Sequence, residues 1–356
     1  MKIYDGTHQT PNYINDGIKF VSVENISNLE GTNKYISKDD YDKDFKIKPE
    51  INDVLMTRIG DIGTPAIIDT NENYAYYVSL ALLKSNQEIL FPKFFIQRIL
   101  SESFQHELWK RTLHVAFPKK INKNEIGECN VFICSKSEQE KIASFLTLLD
   151  KQIEKQKELV ELLKKYKRGL LFSIFSQKLR FKDNNGNDYP AWEEKRLENI
   201  LKIKHGKSQK EIECNNGEYP ILATGGEIGR TNSYLWDKPC VLIGRKGTID
   251  KPQYMDTPFW TVDTLFYSEV FKENNAKYLY YLFNTINWKK YDESTGVPSL
   301  SAKTIERIKV TLSISNTEQT IISKILSKFD NKIQQEECIL SNLQTYKKGL
   351  LQQMFI

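Results

Sequence analysis

The sequence predicts an α/β protein: two tandem α/β domains separated by two long helices that form an antiparallel coiled coil, with internal pseudo-two-fold symmetry. Three observations predict it. Residues 137–175 recur as residues 317–355 at a constant offset of 180. Both copies carry a heptad-like run of apolar residues. The segments ahead of the two copies share one order of strand-like, helix-like and loop-like runs. The boundaries that follow are a first domain over 1–136, a first spacer helix over 137–179, a second domain over 180–316 and a second spacer helix over 317–356.

The first domain opens on DGTHQT and a strand-like run, GIKFVSV, and continues with DVLMTRIGDIG, a second run that ends in a glycine-bearing loop with Arg58. An aromatic helix-like stretch, FPKFFIQRILSESFQHELWKR, leads to the proline-marked loop VAFPKKIN and a last strand-like run, CNVFIC. The second domain repeats this grammar. EYPILAT and CVLIGRKGTID are its strand-like runs, with Arg245 in the glycine loop. NNAKYLYYLFNTINWKKY is its aromatic stretch, STGVPSLSA its proline loop and IKVTLSI its last run. Strand-like runs on either side of helix-like stretches give mixed α/β domains as the coarse reading.

The helices are the most regular part. SEQEKIASFLTLLDKQIEKQKELVELLKKYKRGLLFSIF and TEQTIISKILSKFDNKIQQEECILSNLQTYKKGLLQQMF align without a gap. Glu138 and Gln139 recur as Glu318 and Gln319, Asp150 as Asp330, and Tyr166 and Lys167 as Tyr346 and Lys347. The first seam is Ile142, Leu146, Leu149, Ile153, Val160, Leu163, Leu170 and Ile174; the second is Ile322, Leu326, Phe329, Ile333, Leu340, Leu343, Leu350 and Met354. Spacings of four and three put these residues on one stripe that needs a partner helix. Gln156 with Glu336, and Lys167 with Lys347, interrupt the seam at matching places and set register. Ser137 with Glu140, and Thr317 with Glu318, are the predicted N-terminal caps. In the order domain, helix, domain, helix, the second helix returns along the first only if the two are antiparallel. At about 1.5 Å per residue each helix is roughly 58 Å long and serves as a spacer. A dimerisation zipper between two chains would show the same periodicity, but it gives no reason for the globular segments to be duplicated as well.

Bulk composition narrows the function classes. With 51 basic and 46 acidic residues, the net charge of +5 permits a polyanionic partner without requiring one. Cys129, Cys134, Cys214, Cys240 and Cys338 form no CxxC pair, so neither a disulfide framework nor a zinc cage is expected, and a reducing cytoplasm is the expected location. No apolar signal core or bilayer-length run is present, so no membrane partner is expected. No GxxxxGK[ST], GxGxxG or HExxH occurs, nor does the Asn-Pro-Pro-aromatic element of amino-group DNA methyltransferases. His8, His106, His114 and His205 have no metal or triad spacing. The expectation is a chain without catalytic, cofactor or metal residues.

What remains is recognition chemistry in polar loops. Arginine offers two parallel donors to guanine, Asn and Gln do the same for adenine, and lysines and small hydroxyls suit phosphates. The candidate contacts are His8, Gln9, Asn25, Arg58 and Lys119 in the first domain. In the second they are Lys207, Gln209, Arg230, Arg245, Lys246 and Ser299. The bland reading of TRIGD and GRKGT is that they are tight turns; their recurrence after equivalent strands favours contact.

The residues that carry a family resemblance are the duplicated EQ…Y-K-[RK]-G-L-L helices, the DGTHQTPNYINDGIKFVSVENI opening, the VPSLS loop and the YPAWEEKRLENI lead-in to the second domain. Over essentially its whole length the chain resembles the specificity subunit of Type I restriction-modification systems. The resemblance implies two target-recognition domains, each binding one half of an interrupted double-stranded DNA site. It also implies helices that set the gap and dock two methyltransferase subunits, with restriction and translocase subunits joining the full complex. S-adenosylmethionine, ATP and magnesium would then belong to the partners. One departure stands out. Aligning Ile3 to Gly6 with Ile203 to Gly206 leaves Tyr189 to Lys202 without a counterpart before residue 1, so a first domain shortened at its N-terminus is expected. Two rival classes follow from the same residues: a coiled-coil scaffold that never touches DNA, separated by salt-dependent duplex binding, and an enzyme with an unfamiliar site, separated by cleavage or methyl transfer by the chain alone.

Overall fold

A computed structural model describes residues 1–355. The first domain contributes β1 (Lys2–Asp5), β2 (Ile18–Val21), β3 (Tyr35–Ile36), α1 (Lys38–Asp44), β4 (Val54–Ile59), β5 (Asp61–Ile67), β6 (Tyr74–Tyr76), β7 (Leu80–Lys84), α2 (Pro92–Ile99), α3 (Glu102–Arg111) and α4 (Lys123–Gly127). The long helix α5 (Lys136–Phe175) follows. The second domain contributes β8 (Glu193–Arg196), β9 (Leu201–Lys204), β10 (Tyr219–Ala223), β11 (Gly226–Thr231), β12 (Cys240–Gly244), β13 (Gln253–Met255), β14 (Trp260–Thr261) and β15 (Leu265–Val270). Then come α6 (Ala276–Phe283), α7 (Ala302–Arg307), β16 (Lys309–Leu312) and the second long helix, α8 (Asn316–Met354). The chain forms two compact units, Met1–Glu158 with Glu337–Ile356, and Leu159–Glu336. Each unit holds one domain and part of each long helix.

The two domains share a topology. In the first unit the larger sheet runs β1-β7-β4-β5, all antiparallel, and the smaller runs β3-β2-β6 with β2 parallel to β6. In the second unit the orders are β9-β15-β12-β13 and β11-β10-β14, with β10 parallel to β14. The central strands read as unbroken apolar runs because both of their faces are covered. Val54 and Met56 of β4 pack with Phe94, Phe95 and Ile99, whereas Leu55 between them packs with Phe20, Val21 and Tyr76. Val241 and Ile243 of β12 likewise pack with Tyr278, Leu279 and Phe283, and Leu242 with Leu222 and Phe259. The period of two in a strand divides its side chains between the two cores.

Three local expectations change. The aromatic stretch of the first domain is two helices, because Ser101 ends α2 and accepts from the Phe104 N–H to cap α3. The long helices start one residue earlier than predicted, and the hydroxyls that accept from the Glu138 and Glu318 N–H groups, at 3.4 Å each, belong to Ser135 and Ser315. Ser137 and Thr317 lie inside the helices. Finally, IKVTLSI forms β16 because β8 pairs with it in antiparallel register, whereas CNVFIC forms no strand. Among the described residues none pairs with it, and an apolar run without a ladder partner has nowhere to place its backbone donors.

The helices run antiparallel within each unit. In the first, Lys347 bonds Asp150, and Leu350, Leu351 and Phe355 share a core with Ile142, Ala143 and Leu146. In the second, Lys167 bonds Asp330, and Ile322 and Leu326 share a core with Leu170, Leu171 and Ile174. Every predicted seam residue is buried or half-buried except Met354, which is exposed while Leu351 and Phe355 enter the core. Lys167 and Lys347 are therefore more than interruptions, since each meets the recurrent aspartate of the opposing helix.

Candidate nucleic-acid interface

In each unit the polar loops collect around one turn. In the first it is the turn before β7. The Thr7 N–H donates to the Tyr76 carbonyl at 3.1 Å, Tyr77 to Val21 at 2.9 Å and Arg58 to Ser79 at 2.9 Å, while the Val23 N–H reaches the Ser79 hydroxyl at 3.3 Å. In the second it is the turn before β15. The Lys207 N–H donates to Thr261 at 2.8 Å, Val262 to Leu222 at 3.0 Å and Arg245 to Thr264 at 2.9 Å. The loops after β1, β2 and β4, and after β9, β10 and β12, are thus drawn to one end of their sheets. Glycine makes the closest approach possible. A Cβ on Gly6 would lie 2.3 Å from the Tyr76 carbonyl oxygen, and one on Gly206 would lie 2.1 Å from that of Val262.

The arginine-glycine turns and the proline loops, read separately in the sequence, are joined. Gly60 N–H donates to Lys119 at 2.8 Å and Ile121 N–H to Arg58 at 3.0 Å; Gly247 N–H donates to Pro298 at 2.8 Å and Leu300 N–H to Arg245 at 2.9 Å. Gly60 and Gly247 adopt φ of 82° and 85°, which favours glycine. The proline loops expose Phe117 and Val297 at their tips.

These loops carry most of the candidate residues. His8 and Gln9 are exposed just beyond Gly6, and Thr7 Oγ1 accepts from the Gln9 N–H at 3.3 Å. Asn25 is half-buried, and its Oδ1 accepts from the Ser22 N–H at 3.2 Å, so part of its side chain shapes the loop after β2. Lys119 is exposed beside Lys120. In the second unit Lys207 and Lys246 are exposed, Gln209 and Ser299 half-buried. The Ser299 N–H donates to Asp292 at 2.9 Å; that bond, with two from Ser294, holds the Asp292 carboxyl below the usual carboxylate range. Arg230 sits on β11 in the smaller sheet, exposed but tied to Glu227 at 3.0 Å and to the Gly217 carbonyl at 3.2 Å.

Arg58 departs from expectation. Its side chain is buried, donates to the Ile121 carbonyl at 3.1 Å and is ion-paired with Asp5, so its guanidinium braces the loops rather than facing outward. At the place of Asp5 the second unit has His205, and Arg245 stays half-buried and pairs instead with Asp263, itself largely exposed. Composition could not separate the two arginines. Also unseen in the sequence were the organising turns at Tyr77–Ser79 and Thr261–Thr264, whose one signal is a polar break inside YAYYVSLALL and WTVDTLFY. Among the described residues no three His, Cys, Asp or Glu side chains group as a metal site would.

Comparison with known proteins bears on the family and the fold. The family described as Type I restriction modification DNA specificity domain matches residues 7–164 and 190–345. The S subunit of a Type I restriction-modification system from M. genitalium shares the fold with a TM-score of 0.67 at 19% identity, over 100% of this chain and 93% of that one. A chain from a structural study of type I R-M complex assembly and conformational transition has a TM-score of 0.58 at 13% identity, over 97% and 92%. With its two domains matched in turn, this chain belongs to the Type I restriction modification DNA specificity domain family.

Proposed function

We propose that the chain is the sequence-recognition subunit of a Type I restriction-modification complex, in which each unit reads one half of a bipartite, interrupted site in double-stranded DNA. The observation that carries this is that one loop set, gathered on one turn, is built twice, at the equivalent end of the sheets in each unit. Lys119, Lys207 and Lys246 neutralise phosphates and set the pose. Arg245 exchanges Asp263 for the paired acceptors of a guanine, and Gln9 and Gln209 offer the donor and acceptor that adenine requires. Arg58 holds its loops in place through Asp5. The chain itself performs no chemistry. It directs two methyltransferase subunits docked on the long helices, and restriction and translocase subunits in the full complex, within the cytoplasm. S-adenosylmethionine, ATP and magnesium are bound by those partners.

The test is binding of the purified chain, and of its complex with the methyltransferase, to duplex DNA across a salt series. A reader loses affinity steeply as salt rises, because released counterions drive the phosphate contacts. Absence of duplex binding by the complex at low salt would overturn the proposal, and methyl transfer or cleavage by the chain alone would overturn its non-catalytic part.

A further inference from the structure

The two proline loops are built alike. In the first unit the Leu113 N–H donates to the Lys120 carbonyl at 2.8 Å and closes a loop over 114–119; in the second the Glu293 N–H donates to the Ser299 carbonyl at 3.0 Å and closes one over 294–298. Each loop is also held along one flank by its arginine-glycine turn, through Gly60 to Lys119 and through Gly247 to Pro298. A backbone fastened in this way presents its tip preorganised, with little ordering left to do on binding.

What the tips present is apolar. Phe117 is 104% exposed, Val115 98% and Val297 67%. Their neighbours are polar: Lys119 and Lys120 stand just after Phe117, and Thr295 and Ser299 on either side of Val297, with Lys246 bridged to Ser299. One exposed apolar side chain on an ordinary surface needs no explanation. Here such residues stand at the equivalent place in both units, inside the loop cluster assigned above to DNA. Among the donors and acceptors of the major groove, the apolar feature of a base edge is the C5-methyl group of thymine. Arginine, asparagine and glutamine gain no hydrogen bond from that methyl, whereas phenylalanine and valine can pack on it.

We propose that the apolar tips, Phe117 with Val115 in the first unit and Val297 in the second, are thymine readers, each seated on the C5-methyl of a thymine in its own half of the site. This rests on the reading of both units as DNA-recognition domains, and it adds that each half-site holds an A·T pair in a fixed orientation. Gln9, Gln209 and Arg245 supply hydrogen bonds to neighbouring base edges, while each tip takes the methyl and its own apolar surface out of water.

The test uses the complex of the full chain with its methyltransferase, and duplexes carrying the motif that this complex methylates, in which each thymine is replaced in turn by deoxyuridine. Base pairing is unchanged and one methyl is removed. In each half, replacement of one thymine should weaken binding about three- to fivefold, the worth of one buried methyl-sized group. With Val115→Ala and Phe117→Ala together, the uracil penalty should vanish in the first half and persist in the second; Val297→Ala should do the reverse. All three side chains are exposed, so truncation leaves the cores intact, and the salt dependence of binding should be unchanged because no charge is removed. Uracil tolerated at every position by the wild-type complex, a penalty that survives the truncations, or a half-site without an A·T pair would overturn the proposal and leave the two-domain reading standing. Loss of a DNA bend on truncation, without any uracil penalty, would make the tips wedges between base pairs and overturn the assignment to thymine. A wild-type complex that binds no duplex would overturn both.

Discussion

Gln139 and Gln319 do the same work in their units, and Gln139→Leu tests it. The substitution keeps the volume but removes an acceptor from the Phe91 N–H and a donor from the carbonyls of Cys134 and Ile89, at 2.8, 2.9 and 3.0 Å. Gln139 is buried, so water replaces these partners poorly. Each hydrogen bond contributes about 1 kcal/mol net, and a buried group left unpaired costs about 1–3 kcal/mol, so the loss should be about 3–5 kcal/mol. That is below the stability of a typical domain, so the unit stays folded but opens more often. Native-state amide exchange at 92–99 and 138–146 should accelerate roughly 10²- to 10⁴-fold, with about 1.4 kcal/mol per tenfold, and exchange at 276–283 should change far less. Gln319→Leu should give the mirror result. Acceleration below tenfold, or equal acceleration in both units, would refute the reasoning that this side chain fastens each domain to its own helix.

Other consequences are open to measurement. Lys119→Ala and Lys246→Ala should each lower the slope of log affinity against log salt by about 1, without altering sequence preference; an unchanged slope removes that lysine from the interface. Arg58→Ala should destabilise the first unit by about 1–3 kcal/mol in a denaturant titration, because the Ile121 carbonyl loses its side-chain donor and Asp5 keeps only Lys123, at 3.4 Å, as a cationic partner. Arg245→Ala should leave stability within about 0.5 kcal/mol yet relax discrimination at one base pair by about 1–3 kcal/mol in competition binding; the opposite pattern would reverse the roles given to the two arginines. Gly206→Ala should push the Lys207 loop off the Thr261–Thr264 turn and cost about 1–3 kcal/mol, with a parallel loss of DNA affinity; wild-type stability would show that the 2.1 Å approach to Val262 is readily relieved.

Much of the architecture could be read from the sequence because duplication turns one chain into its own alignment. The offset of 180 identified Asp150 with Asp330 and Lys167 with Lys347, but equivalence says nothing about pairing. The two lysines therefore read as polar flaws in a seam until the antiparallel packing placed each against the opposing aspartate. The arginine-glycine turns and proline loops were visible as motifs, whereas their union depends on hydrogen bonds across 59 residues or so, from Gly60 to Lys119, which no local pattern encodes. Arg58 and Arg245 sit in equivalent loops yet have opposite surroundings, because their partners differ: Asp5 reaches Arg58 from β1, whereas Arg245 pairs with the largely exposed Asp263 in the turn before β15. CNVFIC has the apolar content of a strand, but a strand is a property of a pair.

The most direct measurement is the methylation pattern written when the chain is co-expressed with its cognate methyltransferase and the DNA is sequenced for modified bases. The account predicts marks on one two-part motif with an unread gap. It further predicts that exchanging residues 180–316 for another family member's second domain changes one half of the motif and leaves the other. Marks on an uninterrupted motif, scattered or absent marks, or a change in both halves after the exchange would contradict the claim that each unit reads its own half of the site.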